Sequence, residues 1–252
     1  MEVNKLKRGI VLSLLIITFF MIFNGCEKKN VVDYTNLNTT DLLMEAYWNK
    51  DNDSTFAKIC KLLNDSIKED NQYAIETYLF INIGEGDTIV SFGFYDESNH
   101  YADINERLMF DIYIENENTL YANKKRVELS EIGNLAYQYT FMPELEYYRM
   151  LKRTEKSEDF GEVETFGGGV NLVLNANNNK KISIKEWKIL FDCLEKMINV
   201  FDTERNNFAL KKLGKRYDEL SYKEKISIGE VFPYKIMILS DHYNIWGSNL
   251  SD

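Results

Sequence analysis

The sequence predicts an α+β fold: a small mixed β-sheet with helices packed on one face, preceded by a helical hairpin and a short β segment. Three observations predict it. Val170 to Asn175 is a mostly apolar run that stops at an Asn-rich turn, and Ser183-Ile184-Lys185-Glu186 behind it has the spacing of a capping box. Trp187, Leu190, Phe191, Leu194, Met197, Ile198 and Phe201 then recur at helical period, so this helix needs a sheet to lie on. Upstream, Leu108, Phe110, Ile112 and Ile114 alternate as strand residues do.

The chain in order fills in the rest. Lys5, Lys7 and Arg8 precede an apolar run from Ile10 to Phe23, which ends at Gly25-Cys26. That is the layout of a secretory signal, with Cys26 as the lipidated residue of a lipoprotein. An uncleaved signal anchor stays open as the other reading, because Ile10 to Cys26 is just long enough for a short span. Either reading puts the body outside the cytoplasm. Glu27 to Asn38 is polar and reads as a tether. Thr39 or Thr40 is the expected cap of a helix to about Asn49, and Asp53 or Ser54 that of a second, with Phe56, Ile59, Cys60 and Leu63 on one face.

Tyr73 to Ile83 suits a strand or a helix. Gly84 to Asp87 is a turn, and Thr88 to Tyr95 is rich in β-formers, so the two runs can make a hairpin. Asp96 to Asp103 is loop-like. After Leu108 to Glu115, Asn116-Glu117-Asn118 turns the chain into Thr119 to Val127. Ser130 is the expected cap of a helix to about Phe141. Glu144 to Gly169 reads as a long charged loop with a helical piece around Leu145 to Leu151. Gly214 should stop the long helix, Ser221 to Glu224 should open a short one, and Tyr234 to Leu239 reads as the last strand. The divisions are therefore 1–26 (signal or anchor), 27–106 (an α/β segment), 107–240 (an α+β domain) and 241–252 (a polar tail).

Composition narrows the function. The chain of 252 residues carries a formal net charge of −10, so nucleic acid is excluded as an expected partner. His100 and His242 stand alone among loop residues, and no serine or cysteine sits in a nucleophile motif. Gly167-Gly168-Gly169 is followed by a strand rather than a helix, so it reads as a hinge and not a phosphate loop. Glu155, Glu158, Asp159, Glu162 and Glu164 lack the spacing of a calcium loop. Lys211, Lys212, Lys215 and Arg216 suit a helix C-terminus. Cys60 and Cys193 read as buried thiols, with a disulfide between them open as the other reading in an oxidising compartment. No catalytic, cofactor-binding or metal-ligating residue is expected.

Two runs carry a resemblance. Phe110 to Ile132 has the order strand, polar turn, strand with a polar bend, then a helix opened by Ser130 and Glu131. Phe208 to Ser221, closing in Val231 to Ile236, is the second. Together they resemble the extracytoplasmic domain of ExbD/TolR biopolymer-transport proteins, with a C-terminal extension of the Bacteroidetes type, over about Leu108 to Leu239. The resemblance implies a homodimer in the periplasm, without enzymatic activity, that binds an extended segment of an ExbB- or TonB-like partner by strand addition. Tyr234 to Leu239 is the candidate edge, with Tyr234, Ile236 and Ile238 as its contact residues. The other reading is a stand-alone lipoprotein that binds a ligand or the cell wall. Two departures from the family matter. Its membrane helix carries an acidic residue for proton flow, and Ile10 to Phe23 has none. Glu27 to Glu106, about 80 residues, precedes the matched region where the family has a short linker.

Overall fold

The computed structural model describes residues 37–66, 109–141, 152–166, 168–176 and 180–241, positions 247 and 250, and the strand backbones of 76–83 and 88–93. Cys26 and the Ile10–Phe23 run, the 84–87 turn, the 96–103 loop, His100, His242, Trp246 and the expected helical piece at 145–151 lie outside them. Residues Thr35–Asp252 form one compact unit.

The fold is α+β, and its helices are α1 (Thr39–Trp48), α2 (Asp53–Ser66), α3 (Ile132–Phe141), α4 (Ile184–Leu213) and α5 (Tyr222–Val231). Its strands are β1 (Glu76–Ile83), β2 (Thr88–Gly93), β3 (Met109–Asn116), β4 (Thr119–Ala122), β5 (Lys125–Val127), β6 (Lys152–Ser157), β7 (Gly161–Phe166), β8 (Gly169–Asn175) and β9 (Ile236–Asp241). Seven strands make one mixed sheet in the order β2-β1-β9-β8-β3-β4-β5, and β6 and β7 pair by themselves. β8 runs parallel to β3 on one side and to β9 on the other; every other pairing is antiparallel.

The crossovers follow from the caps. Ser183 Oγ accepts from the Glu186 backbone N–H while Glu186 accepts from the Ser183 N–H, and Gly214 ends α4 in the left-handed region at φ 68. Ser221 and Glu224 repeat the box at α5. Trp187, Leu190, Phe191, Leu194, Met197 and Phe201 are buried, as their period predicts, whereas Ile198 is only half-buried. Tyr139 of α3 meets Phe110 of β3 at 5.2 Å, and Phe141 meets Phe201 of α4 at 5.4 Å. The even positions of β3 and β8 thus face these helices.

Several expected boundaries move. Asn38, not Thr39 or Thr40, caps α1 by accepting from the Asp41 N–H at 2.9 Å. Asn52 serves α2 through the Thr55 N–H. Ser130 lies in a turn before α3, where the Glu131 carboxylate accepts from the Glu128 N–H. Within the ambiguous run, Glu76–Ile83 is a strand, paired with β2 in the expected hairpin. The charged stretch at 152–166 is a β-hairpin, not a loop: Gly161 turns it at φ 72, and Val163 and Thr165 are buried. Its tip is held where Ser227 of α5 donates to Asp159.

The division at residue 106 does not hold. β1 pairs with β9, so the upstream segment completes the same sheet. The α1–α2 hairpin packs on α4 through Phe56 and Phe191 at 6.0 Å, and Asn64 bonds both the N–H and C=O of Ile182. Nor does a polar tail begin at 241, since Asp241 ends β9 buried and Leu250 packs on the sheet.

Candidate functional site

The residues assigned to a partner-binding edge sit elsewhere. β9 pairs with β8 along Ile236 to Asp241, and its Met237 to Leu239 also pair with β1. It is an interior strand with no free edge along Met237 to Leu239. Ile236 and Ile238 are core residues, 1% and 0% exposed. Tyr234 donates to the Asp202 carboxylate, and the Arg205 guanidinium lies 3.8 Å from its ring centroid. Arg205 is itself buried and donates through Nε to the Phe232 carbonyl at 2.9 Å. This cluster ties the long helix to the segment entering β9. Burial raises the Tyr234 phenol and outweighs Arg205, while burial raises Asp202 against the bond from Tyr234. The assignment of Tyr234, Ile236 and Ile238 to an edge is therefore corrected. Apolar strands at the end of a chain read alike whether they lie inside or outside a sheet.

Among the described residues, the sheet ends at β2 on one side and at β5 on the other. β5 is short and follows a tight turn at Asn123 and Lys124, both at positive φ (46 and 71). Asn123 fixes that turn to β3: its N–H donates to the Asp111 carbonyl at 2.8 Å, and its Oδ1 accepts from the Asp111 N–H at 3.0 Å. Lys124, Lys125 and Arg126 are all exposed.

The sheet face away from the helices carries a second core that periodicity had not assigned. Met109, Tyr113, Tyr121, Val173, Met237 and Leu239 are buried there, with Leu250 against them. Within it, Asp111 of β3 and Asn171 of β8 stand opposite one another, and Asn171 Nδ2 donates to Asp111 Oδ1 at 2.9 Å. Burial pushes the Asp111 carboxyl up to about 6, against the opposing effects of Asn171 and Lys124. Asn171 Oδ1 is buried without a hydrogen-bond partner among the described residues. The sequence signal was an Asp and an Asn at the odd positions of two otherwise apolar strands.

Gly169 explains the end of the glycine run. A Cβ there would lie 2.7 Å from the Lys235 carbonyl and 2.8 Å from Met109 Sδ, so close packing requires the glycine. Lys235 itself is buried, and burial lowers its ammonium to about 8, with Arg153 adding to the shift and Glu155 opposing it. Cys60 and Cys193 are buried free thiols, each pushed up to about 12 by burial. Thiols so placed are poor nucleophiles. Among the described residues, no group of three His, Cys, Asp or Glu is arranged to hold a metal ion, and no helix is long and apolar enough to cross a membrane.

Comparison with protein-family models, with curated proteins and with solved structures gives no match.

Proposed function

We propose that the protein is a non-enzymatic, membrane-tethered component of the bacterial cell envelope, built on an ExbD/TolR-like domain. It acts as an accessory of an energy-coupled transport system of the TonB type, and it holds an extended segment of a partner protein at an open edge of its sheet. The tether is the N-terminus, lipidated at Cys26, and the body lies in the periplasm.

One observation carries this reading. From Met109 to Asp241 the elements run three strands, a helix, the β6–β7 hairpin, a strand, the long helix, a short helix and a strand, with β8 parallel to both β3 and β9. Apart from the hairpin, that order fits what the resemblance implies, and among the described residues no further strand pairs with the outer sides of β2 and β5. An interior β9 moves the docking strand to one of these two.

The test is chemical cross-linking in cells, followed by identification of what is attached. The proposal expects an inner-membrane energy-coupling protein of the ExbB or TonB kind. A protein that forms no such adduct, yet fractionates with the envelope, would be a stand-alone ligand-binding lipoprotein instead.

A further inference from the structure

We infer that the β5 edge takes an extended acidic segment of the partner, entering as an added strand with two consecutive carboxylates. This rests on the strand-addition reading above and names the chemistry of its site.

The backbone is the first part of the argument. Among the described residues β5 pairs with β4 alone, in the register Leu120–Val127, Tyr121–Arg126 and Ala122–Lys125. Its outer side is free to extend the sheet. The two bonds between Asn123 and Asp111 fix the turn that starts it, so little ordering is required when a strand arrives.

Charge is the second part. Lys124, Lys125 and Arg126 form an exposed basic run on a chain of net charge −10. Lys125 and Arg126 form no ion pair with a carboxylate among the described residues, whereas Lys124 lies near Asp111 and opposes its shift. Glu128 follows β5 directly, and its N–H donates to the Glu131 carboxylate just before α3. Successive strand residues point to opposite faces. Arg126 shares the face of Tyr121, and Lys125 shares that of Ala122. A partner strand with two neighbouring acids therefore places one carboxylate against each cation.

The same charges exclude a second copy of this edge. Two β5 strands side by side would set Lys125 and Arg126 against like charges, the device by which edge lysines block self-pairing. The sequence of β2, Thr88-Ile89-Val90-Ser91-Phe92-Gly93, carries no charge and offers an acidic strand no such match.

The test uses the full chain in neutral detergent micelles and fluorescent peptides rich in Val and Thr. One peptide carries a central Glu-Glu pair, one a Lys-Lys pair, and one the Glu-Glu pair with alternate backbone N-methyl groups. Anisotropy should show binding of the first alone, weakened by added salt. Replacing Lys125→Glu and Arg126→Glu together should weaken it at least about tenfold and favour the Lys-Lys peptide, since both positions are exposed and the fold tolerates the change. Equal binding of acidic and basic peptides, or binding untouched by N-methylation or by the charge reversal, overturns the inference. If the peptides discriminate as described but no partner cross-links in cells, the envelope-partner reading falls while the edge preference stands. A cellular partner captured from β2 and not from β5 does the reverse.

Discussion

Replacing Asp111→Asn should stabilise the protein at neutral pH and leave it unchanged in acid. Asp111 lies mostly buried between Asn171 and the Asn123 turn, and its carboxyl is raised from 3.8 to about 6. A shift of about two units corresponds to roughly 3 kcal/mol of penalty on the charged form, and partial solvent access reduces this to about 1–2 kcal/mol. The folded state holds the proton more tightly than the unfolded chain. Stability therefore falls as pH rises from about 4 to about 6, and the full penalty persists above that window. Asparagine still accepts the Asn171 Nδ2 bond and carries no charge. Urea unfolding at about pH 7.5 should show Asp111→Asn more stable by about 1–2 kcal/mol, with the gap closing by about pH 4. A variant that is less stable at neutral pH, or a gap independent of pH, would refute the reasoning.

Four further outcomes follow. Leu194→Ala, at a site 0% exposed, should lower stability by about 2–5 kcal/mol in urea unfolding, whereas a loss below about 0.5 kcal/mol would mean an exposed face. Gly169→Ala should lower it by about 1–3 kcal/mol, because the added methyl meets the Lys235 backbone and Met109. Labelling cells with a fatty acid should mark the protein, and Cys26→Ala should abolish the label; a mature chain still beginning at Met1 would leave the signal anchor instead. Expressed in a strain lacking its motor ExbD, the protein should fail to restore growth on a substrate that needs energised uptake. The apolar run Ile10 to Phe23 holds no group that ionises near neutral pH, so full rescue would refute the accessory role.

How much of this was legible depended on the kind of signal. Capping boxes at Ser183 and Ser221 and the glycine after Leu213 are local chemistry, and each stands where the spacing placed it. The long helix and its buried stripe follow from period alone. What escaped was long-range. Nothing local in Tyr234 to Leu239 says that β1, more than 150 residues upstream, closes against it, so an interior strand read as an edge. The β6–β7 hairpin hides behind its charge, four of six residues in β6 and two glutamates in β7, and its burial rests on Val163 and Thr165 alone among described side chains. The second face was missed for another reason. The alternation of Phe110, Ile112 and Ile114 marks one face of β3 and says nothing of the other, where Tyr113, Val173 and Leu239 form a row across three strands.

The most direct measurement places a photo-activated amino acid at position 126 of β5, at position 91 of β2, and at the exposed position 203 of α4, each in the full chain in living cells. The account predicts a covalent adduct with an envelope energy-coupling protein from one of the two sheet edges and none from position 203. Adducts from position 203 alone, or none from either edge, would contradict it.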